Sequence, residues 1–97
     1  MQEKFIKFTE IYEAIGVSTV FSLRVIYISR DHVVSYREDP VMKERLKDGR
    51  LPKGLLSEQE FTKIELNAGS NVARYVVVVG ELSGIDNKLS YGDKNVI

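Results

Sequence analysis

The run VARYVVVV, from Val72 to Val79, constrains the fold of this chain more than any other stretch. It contains five valines and Tyr75 and keeps only Arg74 as a charge. β-Branched and aromatic residues favour strands, and a strand that is apolar on both faces belongs inside a sheet or under a second layer. At an open edge, four consecutive valines with no charge or proline would promote aggregation. The run therefore predicts an interior strand.

The residues before this run predict its hairpin partner. From Thr62 to Leu66, charged residues (Lys63 and Glu65) alternate with less polar ones, which is the pattern of a strand with one face buried. The segment Asn67 to Asn71 is short and polar and contains a glycine. Its side chains can satisfy the hydrogen-bonding groups of the turn backbone, and the chain can reverse direction here. We expect two antiparallel strands joined by a turn at this point.

The N-terminal half predicts further strands. Thr19 to Ile28 is dominated by β-branched and aromatic residues. Ser29 to Asp31 is a turn candidate, and His32 to Arg37 fits a short strand that would pair with its predecessor as a hairpin or around a bend. Phe5 to Ile15 fits a helix by its apolar spacing and a short strand by its first five residues, and periodicity does not choose between them.

The segment from Glu38 to Glu60 departs from the sheet pattern. Pro40 suits a first helical turn, Asp39 is placed to cap it, and Gly49 is placed to end it. We expect a helix of about two turns, followed by an irregular stretch with glycines and a proline.

After the hairpin, apolar residues recur at helical spacing between Leu82 and Leu89, which predicts a short helix with Ser83 as its cap. The fold class is therefore α+β, a single small antiparallel β-sheet of about five strands with one or two short helices. We expect a single domain over residues 1–97, with a long, partly helical insertion at 39–57 and a C-terminal tail at 91–97.

Composition excludes several classes of function. Fourteen basic and fourteen acidic residues give zero formal net charge, so no bulk attraction to nucleic acid or to an anionic membrane is expected. The absence of cysteine excludes disulfides and thiolate chemistry. Charges interrupt the first ten residues, and no apolar run approaches the roughly 20 residues that span a bilayer. We therefore expect a cytoplasmic protein with no signal peptide and no membrane association.

The order of four sequence motifs resembles that of a known family. FIKFT is followed by VIYISRDHVVSY, then by FTKIELNAG, then by VVVVGELSGIDNKL. This order is similar to that of the short β domains of the FlbD type, small bacterial proteins first noted in flagellar gene clusters, and of similar small proteins of Bacteroidetes and their phages.

The resemblance covers rather over half of the chain and implies a strand at the N-terminus and a helix at Leu82 to Leu89. The chain departs from the family pattern by its long segment Glu38 to Glu60 and by a first connection extended through Tyr12 to Ser18. The family brings no established catalytic residues, so the resemblance implies no site chemistry.

Candidate chemistry in the sequence is sparse. His32 is the single histidine and follows Asp31, which suggests a general base. Neighbouring side chains in a turn point in different directions, however, so a structural or surface role is the expected one. Zinc ligands and a phosphate-binding glycine loop are lacking. We expect a protein that is not an enzyme and that holds no cofactor or metal.

Basic residues provide a candidate nucleic-acid surface. Residues 40–53 contain five basic and two acidic side chains, and nearby arginines could join them. The alternative is a solvated face that serves solubility. The candidate contacts, to nucleic acid or to another partner, are Arg30, Arg37, Lys43, Arg45, Lys47, Arg50 and Lys53.

Self-association is the first hypothesis for function. Few helices are available to cover the sheet, and one strand carries an apolar face that a second copy could bury. The candidate self-association face consists of Phe21, Leu23, Val25 and Tyr27. We expect a homo-oligomeric accessory or regulatory module of bacterial or phage origin, whose loop from Asp39 to Ser57 contacts another protein. Nucleic-acid binding is the alternative, and a phage small-ligand trap at an oligomer interface is the third.

Overall fold

The computed structural model describes residues 5–14, 20–49, 51–52, 54–67 and 73–90. They form one five-stranded antiparallel sheet with two helices, which confirms the predicted small α+β fold for this part of the chain. The tail at 91–97 and the turn at 68–72 lie outside the described residues. In chain order the elements are β1 (Phe5–Ala14), β2 (Val20–Ser29), a 3-10 turn (Arg30–His32), β3 (Val33–Glu38), α1 (Pro40–Lys47), β4 (Phe61–Asn67), β5 (Ala73–Val79) and α2 (Leu82–Leu89).

The valine-rich strand β5 lies at the centre of the sheet, whose strand order is β2-β1-β5-β4-β3. It pairs along its whole length with β4, and Val77 and Val78 pair on the other edge with Ile11 and Glu10 of β1. Val78 is 0% exposed. The prediction that this run is interior to the sheet is confirmed.

At Val77 and Val78, both faces of the central strand β5 are covered by the chain itself. One face packs under α2, and its buried cluster, the α2 cluster, consists of Ile6, Phe8, Ile28, Ile64, Val78, Ile85 and Leu89. The opposite face packs under α1 and the segment after it, and its buried cluster, the α1 cluster, consists of Ile11, Met42, Phe61 and Val77, with Phe21, Leu46, Leu51, Leu55 and Val79 packed against it. No second copy is needed to shield β5.

The sheet curls so that its two edge strands approach each other. β2 and β3 are the two edges, yet only Arg30–His32 separates them along the chain. In a flat sheet these edges would be about 19 Å apart, whereas the four Cα steps from Ser29 to Val33 span about 15 Å at most. The predicted pairing of β2 with β3 is therefore wrong: β2 pairs with β1, and β3 pairs with β4.

The ambiguous N-terminal stretch forms a strand. Ile6, Phe8 and Glu10 are buried, whereas Phe5, Lys7 and Thr9 between them are exposed. This alternation is the two-residue period of a strand with one face on a core. The ten-residue ladder with β2 fixes the register of β1.

The two helices begin differently. The Asp39 carboxylate accepts hydrogen bonds from the backbone N–H groups of Val41 (3.1 Å) and Met42 (3.2 Å), so the predicted cap of α1 is confirmed. The predicted cap of α2 is wrong, because Ser83 lies inside the helix and the N-cap position is Glu81, which makes no side-chain cap. The chain enters α2 through Gly80, at φ 137°.

Candidate functional site

The outer face of β2 carries an exposed apolar strip. We define this β2 strip as Leu23, Val25 and Tyr27; all three are exposed, Val25 by 55% and Tyr27 by 62%. Ladder pairing places Val25 opposite Thr9 and Tyr27 opposite Lys7 of β1, and Phe5 is also exposed at this end of the hairpin. Leu23, Val25 and Tyr27 therefore share one face of β2, as predicted, and all three side chains are exposed.

Phe21 differs from the other predicted members of this face. It is half-buried and packs against the α1 cluster. The guanidinium of Arg45, on α1, lies 5.1 Å from the centre of its ring, within cation–π range. Phe21 therefore anchors α1 to the sheet, and the free surface begins at Leu23.

On the opposite face of β2, Arg24 makes a polar contact with β1. Arg24 lies directly opposite Glu10, and its Nε donates a hydrogen bond of 2.8 Å to Glu10 Oε1. The guanidinium also lies 3.9 Å from the centre of the Tyr12 ring. The hydrogen bond with Glu10 raises the pKa of Arg24. The register places Arg24 on the opposite face of β2 from the apolar strip.

The edges of the sheet differ in how they are protected. β3 is six residues long, has a register shift between Val33 and Ser35, and carries Arg37 and Glu38 on an exposed end. Short length, bulges and charges are the devices that keep edge strands from pairing with other chains. β2 is ten residues long, and its outward side chains from position 21 to 27 are all apolar. Among the described residues, no strand pairs with its outer edge.

The predicted basic segment does not form one free cationic surface in the described part of the chain. Lys43 forms an ion pair with Glu60, whose hydrogen bond raises the pKa of Lys43. Lys47 lies 3.8 Å from Glu44. Arg45 packs over Phe21, and Arg50 and Lys53 lie outside the described residues.

The two predicted arginines outside this segment lie in different places. Arg30 is half-buried and donates a hydrogen bond of 3.3 Å to the carbonyl of Lys88, at the end of α2. Lys88 in turn donates one of 3.1 Å to the carbonyl of Lys7. Arg30 thus ties α2 to the sheet, whereas Arg37 is exposed on β3.

Three strands build a cluster that the sequence did not predict. Arg37, Lys63, Glu65, Arg74 and Tyr75 line a cleft of about 230 Å³ at the β3, β4 and β5 side of the sheet. The Nζ of Lys63 lies 3.9 Å from the centre of the Tyr75 ring. The one signal for this cluster in the sequence is that Lys63 and Glu65 are two positions apart on β4. Residues at this spacing lie on the same face of a strand.

His32 makes a structural contact. Its Nδ1 lies 3.1 Å from the carbonyl oxygen of Asn67, and since a carbonyl only accepts, this nitrogen carries the proton. The contact joins the 3-10 turn to the end of β4, across the point where the sheet curls. The ring is exposed, and its hydrogen bond goes to the backbone.

A second groove, of about 560 Å³, lies beside α2 and is acidic. It contains Glu38, Glu60, Glu81 and Asp86, and the Tyr36 hydroxyl donates a hydrogen bond of 2.5 Å to Asp86 Oδ1. That bond, followed by burial, raises the pKa of Tyr36 above its ordinary value. Within the described ranges, no group of three or more histidine or carboxylate side chains is arranged to hold a metal ion.

Comparisons with protein-family models, with curated proteins and with solved structures found no match. In the described part of the chain, neither helix has the length and apolar character needed to cross a membrane. The β2 strip is exposed, and so is Tyr75 at the cleft between β3, β4 and β5.

Proposed function

We propose that this chain is a small non-enzymatic binding module that self-associates through β2 and acts through protein–protein contacts. The observation that carries the proposal is the β2 strip on a ten-residue edge strand whose outer edge no described strand covers. Pairing two β2 edges would satisfy their backbone groups and place the two strips side by side on one continuous sheet face.

A second copy fits this surface better than an unrelated strand. A two-fold contact uses the same patch on both copies, so an apolar strip meets an apolar strip. The chain has zero formal net charge, so two copies approach without bulk repulsion. Arg24, the one charge between Phe21 and Tyr27, lies on the opposite face of β2 from the strip, where it pairs with Glu10.

Sedimentation equilibrium between about 2 and 200 µM tests self-association. We expect the wild-type chain to form a dimer and Val25→Lys to remain a monomer, because the lysine places a charge at the centre of the β2 strip. Val34→Lys is the matched control: Val34 is 61% exposed on the other edge strand, and this variant should still dimerise. A wild-type chain that is monomeric at 200 µM would refute this proposal.

The segment 39–57 is the proposed contact surface for another protein. Val41 and Leu56 are exposed apolar side chains in it. Deleting the segment would expose the α1 cluster, since Met42 and Leu55 belong to that packing. The role that we propose for this contact is accessory or regulatory, in bacteria or their phages.

Affinity capture from a bacterial lysate with matched baits tests the second contact. The wild-type chain and the double variant Val41→Ser, Leu56→Ser should differ in at least one retained protein, identified by mass spectrometry. Identical protein sets on both baits would contradict a role for this surface.

A further inference from the structure

The cleft between β3, β4 and β5 combines an exposed aromatic ring with several cations. Tyr75 is 60% exposed although it lies on the central strand, because α1 and the segment after it cover the outer face only further along β5. An exposed tyrosine ring offers a flat apolar surface with a polar tip. This position therefore differs from the covered Val77 two residues later.

Strand register brings the cations to this ring. Arg37 of β3 lies opposite Lys63 of β4, and Glu65 lies opposite Tyr75. Lys63 is therefore the diagonal neighbour of Tyr75, and its Nζ lies over the ring at 3.9 Å. Arg74, next to Tyr75 in the chain, lines the same cleft. Lys63 and Arg37 thus share the face of the ring and lie within about two strand spacings, or 10 Å, of it. Arg74 lies opposite Leu66 on the other face of β5, and it lines both this cleft and the groove beside His32.

The charge of this cleft is not neutralised locally. Glu65 is its one carboxylate and accepts a hydrogen bond of 2.8 Å from the Ser35 hydroxyl. Neither Arg37 nor Arg74 forms a salt bridge with another side chain in the described part of the chain. The cleft therefore has two positive charges in excess, whereas the cations of α1 face Glu60, Glu44 and Phe21.

We propose that this cleft, and not the segment 40–53, binds single-stranded nucleic acid. A base stacks on Tyr75 in place of the Lys63 ammonium, and phosphates of the same strand contact Arg37, Lys63 and Arg74. Stacking is tolerant of sequence because every base has a flat π face, and cations beside the ring follow the backbone. An acidic peptide would satisfy the cations but would not use the exposed surface of the ring, so nucleic acid fits the whole cleft better.

Fluorescence anisotropy with labelled 12-nucleotide oligo(dT) and oligo(U), at 25 to 200 mM NaCl, tests the proposal. We expect binding that weakens with salt, with a slope of log K against log [salt] near about −2 for three phosphate contacts. Tyr75→Ala should weaken binding at least about fivefold, the low end for loss of one stacked base. Arg37→Gln with Arg74→Gln should lower the slope by roughly 1.4.

Two matched controls locate the site. Tyr27→Ala removes a tyrosine of similar exposure from the β2 strip and should leave affinity unchanged, as should Lys43→Gln with Lys47→Gln on α1. Val25→Lys should keep affinity within about twofold whatever its oligomeric state, which separates this proposal from self-association.

Three outcomes would overturn the proposal. The first is the absence of binding at 50 µM protein in 25 mM NaCl. The second is an equal loss in the Tyr27 or α1 controls, which would place the contact elsewhere. The third is tight binding of an octaglutamate peptide that Tyr75→Ala does not weaken, which would identify an acidic protein partner.

Discussion

Arg24 and Glu10 lie directly opposite each other on β2 and β1, and the arginine Nε donates a 2.8 Å hydrogen bond to a carboxylate that is buried. Removing the arginine leaves Glu10 without this charged donor. We expect Arg24→Leu to lower the free energy of unfolding, because it leaves a buried carboxylate without its charged hydrogen-bond donor. Urea unfolding followed by circular dichroism measures it.

A matched substitution separates this pair from a general effect of losing an arginine. Arg37 is also an exposed strand arginine, but it has no salt bridge in the described part of the chain. Arg37→Leu should change the unfolding free energy by no more than about 0.5 kcal/mol. Equal losses in both variants would show that the Glu10 contact does not stabilise the fold.

Tyr36 gives the fold a dependence on alkaline pH. Its hydrogen bond to Asp86 raises its pKa above 10.0, so the folded chain holds the phenol proton more tightly than the unfolded chain does. The stabilisation is complete below the unfolded pKa and is lost as pH rises through the raised folded pKa. Tyr36→Phe lacks the hydrogen bond to Asp86 and therefore this pH-dependent stabilisation. The difference between the urea midpoints of the wild-type chain and the variant should shrink between pH 8 and pH 11. A constant or growing difference would contradict this assignment.

The sequence predicted the features that depend on local pattern. The interior position of β5 follows from its valines, the face of β2 from alternation, and the start of α1 from Asp39 and Pro40. Each of these is set by residues within one element. The strand order was not predictable in this way, because the turn at Arg30–His32 has the same composition whether it joins paired strands or closes a curled sheet.

In the candidate sites, too, the contacts that depend on long-range pairing could not be predicted from local pattern. Counting charges over residues 40–53 could not reveal that Lys43 pairs with Glu60, 17 positions later in the chain, or that Arg45 covers Phe21. The cleft around Tyr75 draws its residues from three strands, and only the register brings Arg37 to Lys63. Such sites require long-range pairing to be known before their charges can be added together.

Gly80 is required where β5 turns into α2. Its φ of 137° is strained for any residue with a side chain, and an added Cβ would lie 3.1 Å from Ile85 Cδ1 in the α2 cluster. We expect Gly80→Ala to destabilise the fold by about 1–3 kcal/mol. Gly84→Ala is the matched control: it lies within α2 with its nearest neighbour 3.9 Å away, so alanine should stabilise by about 0.4–1 kcal/mol. Thermal melts of both variants would show shifts of opposite sign, and two shifts of the same sign would contradict the role assigned to Gly80.

Amide hydrogen exchange distinguishes the central strand from the free edge. β5 is bonded to neighbours on both sides, so the amides of Val77 and Val78 should be among the slowest to exchange. Among the described strands, β2 pairs with β1 alone, so about every second amide between Phe21 and Tyr27 should exchange fast at low micromolar concentration. If β2 edges pair in a dimer, these same amides should become protected as concentration rises, and Val25→Lys should abolish that dependence. If the chain dimerises and the protection of these amides does not change with concentration, the dimer contact involves the β2 strip alone. If the Val78 amide exchanges as fast as the amides at the edge, the central position of β5 is refuted.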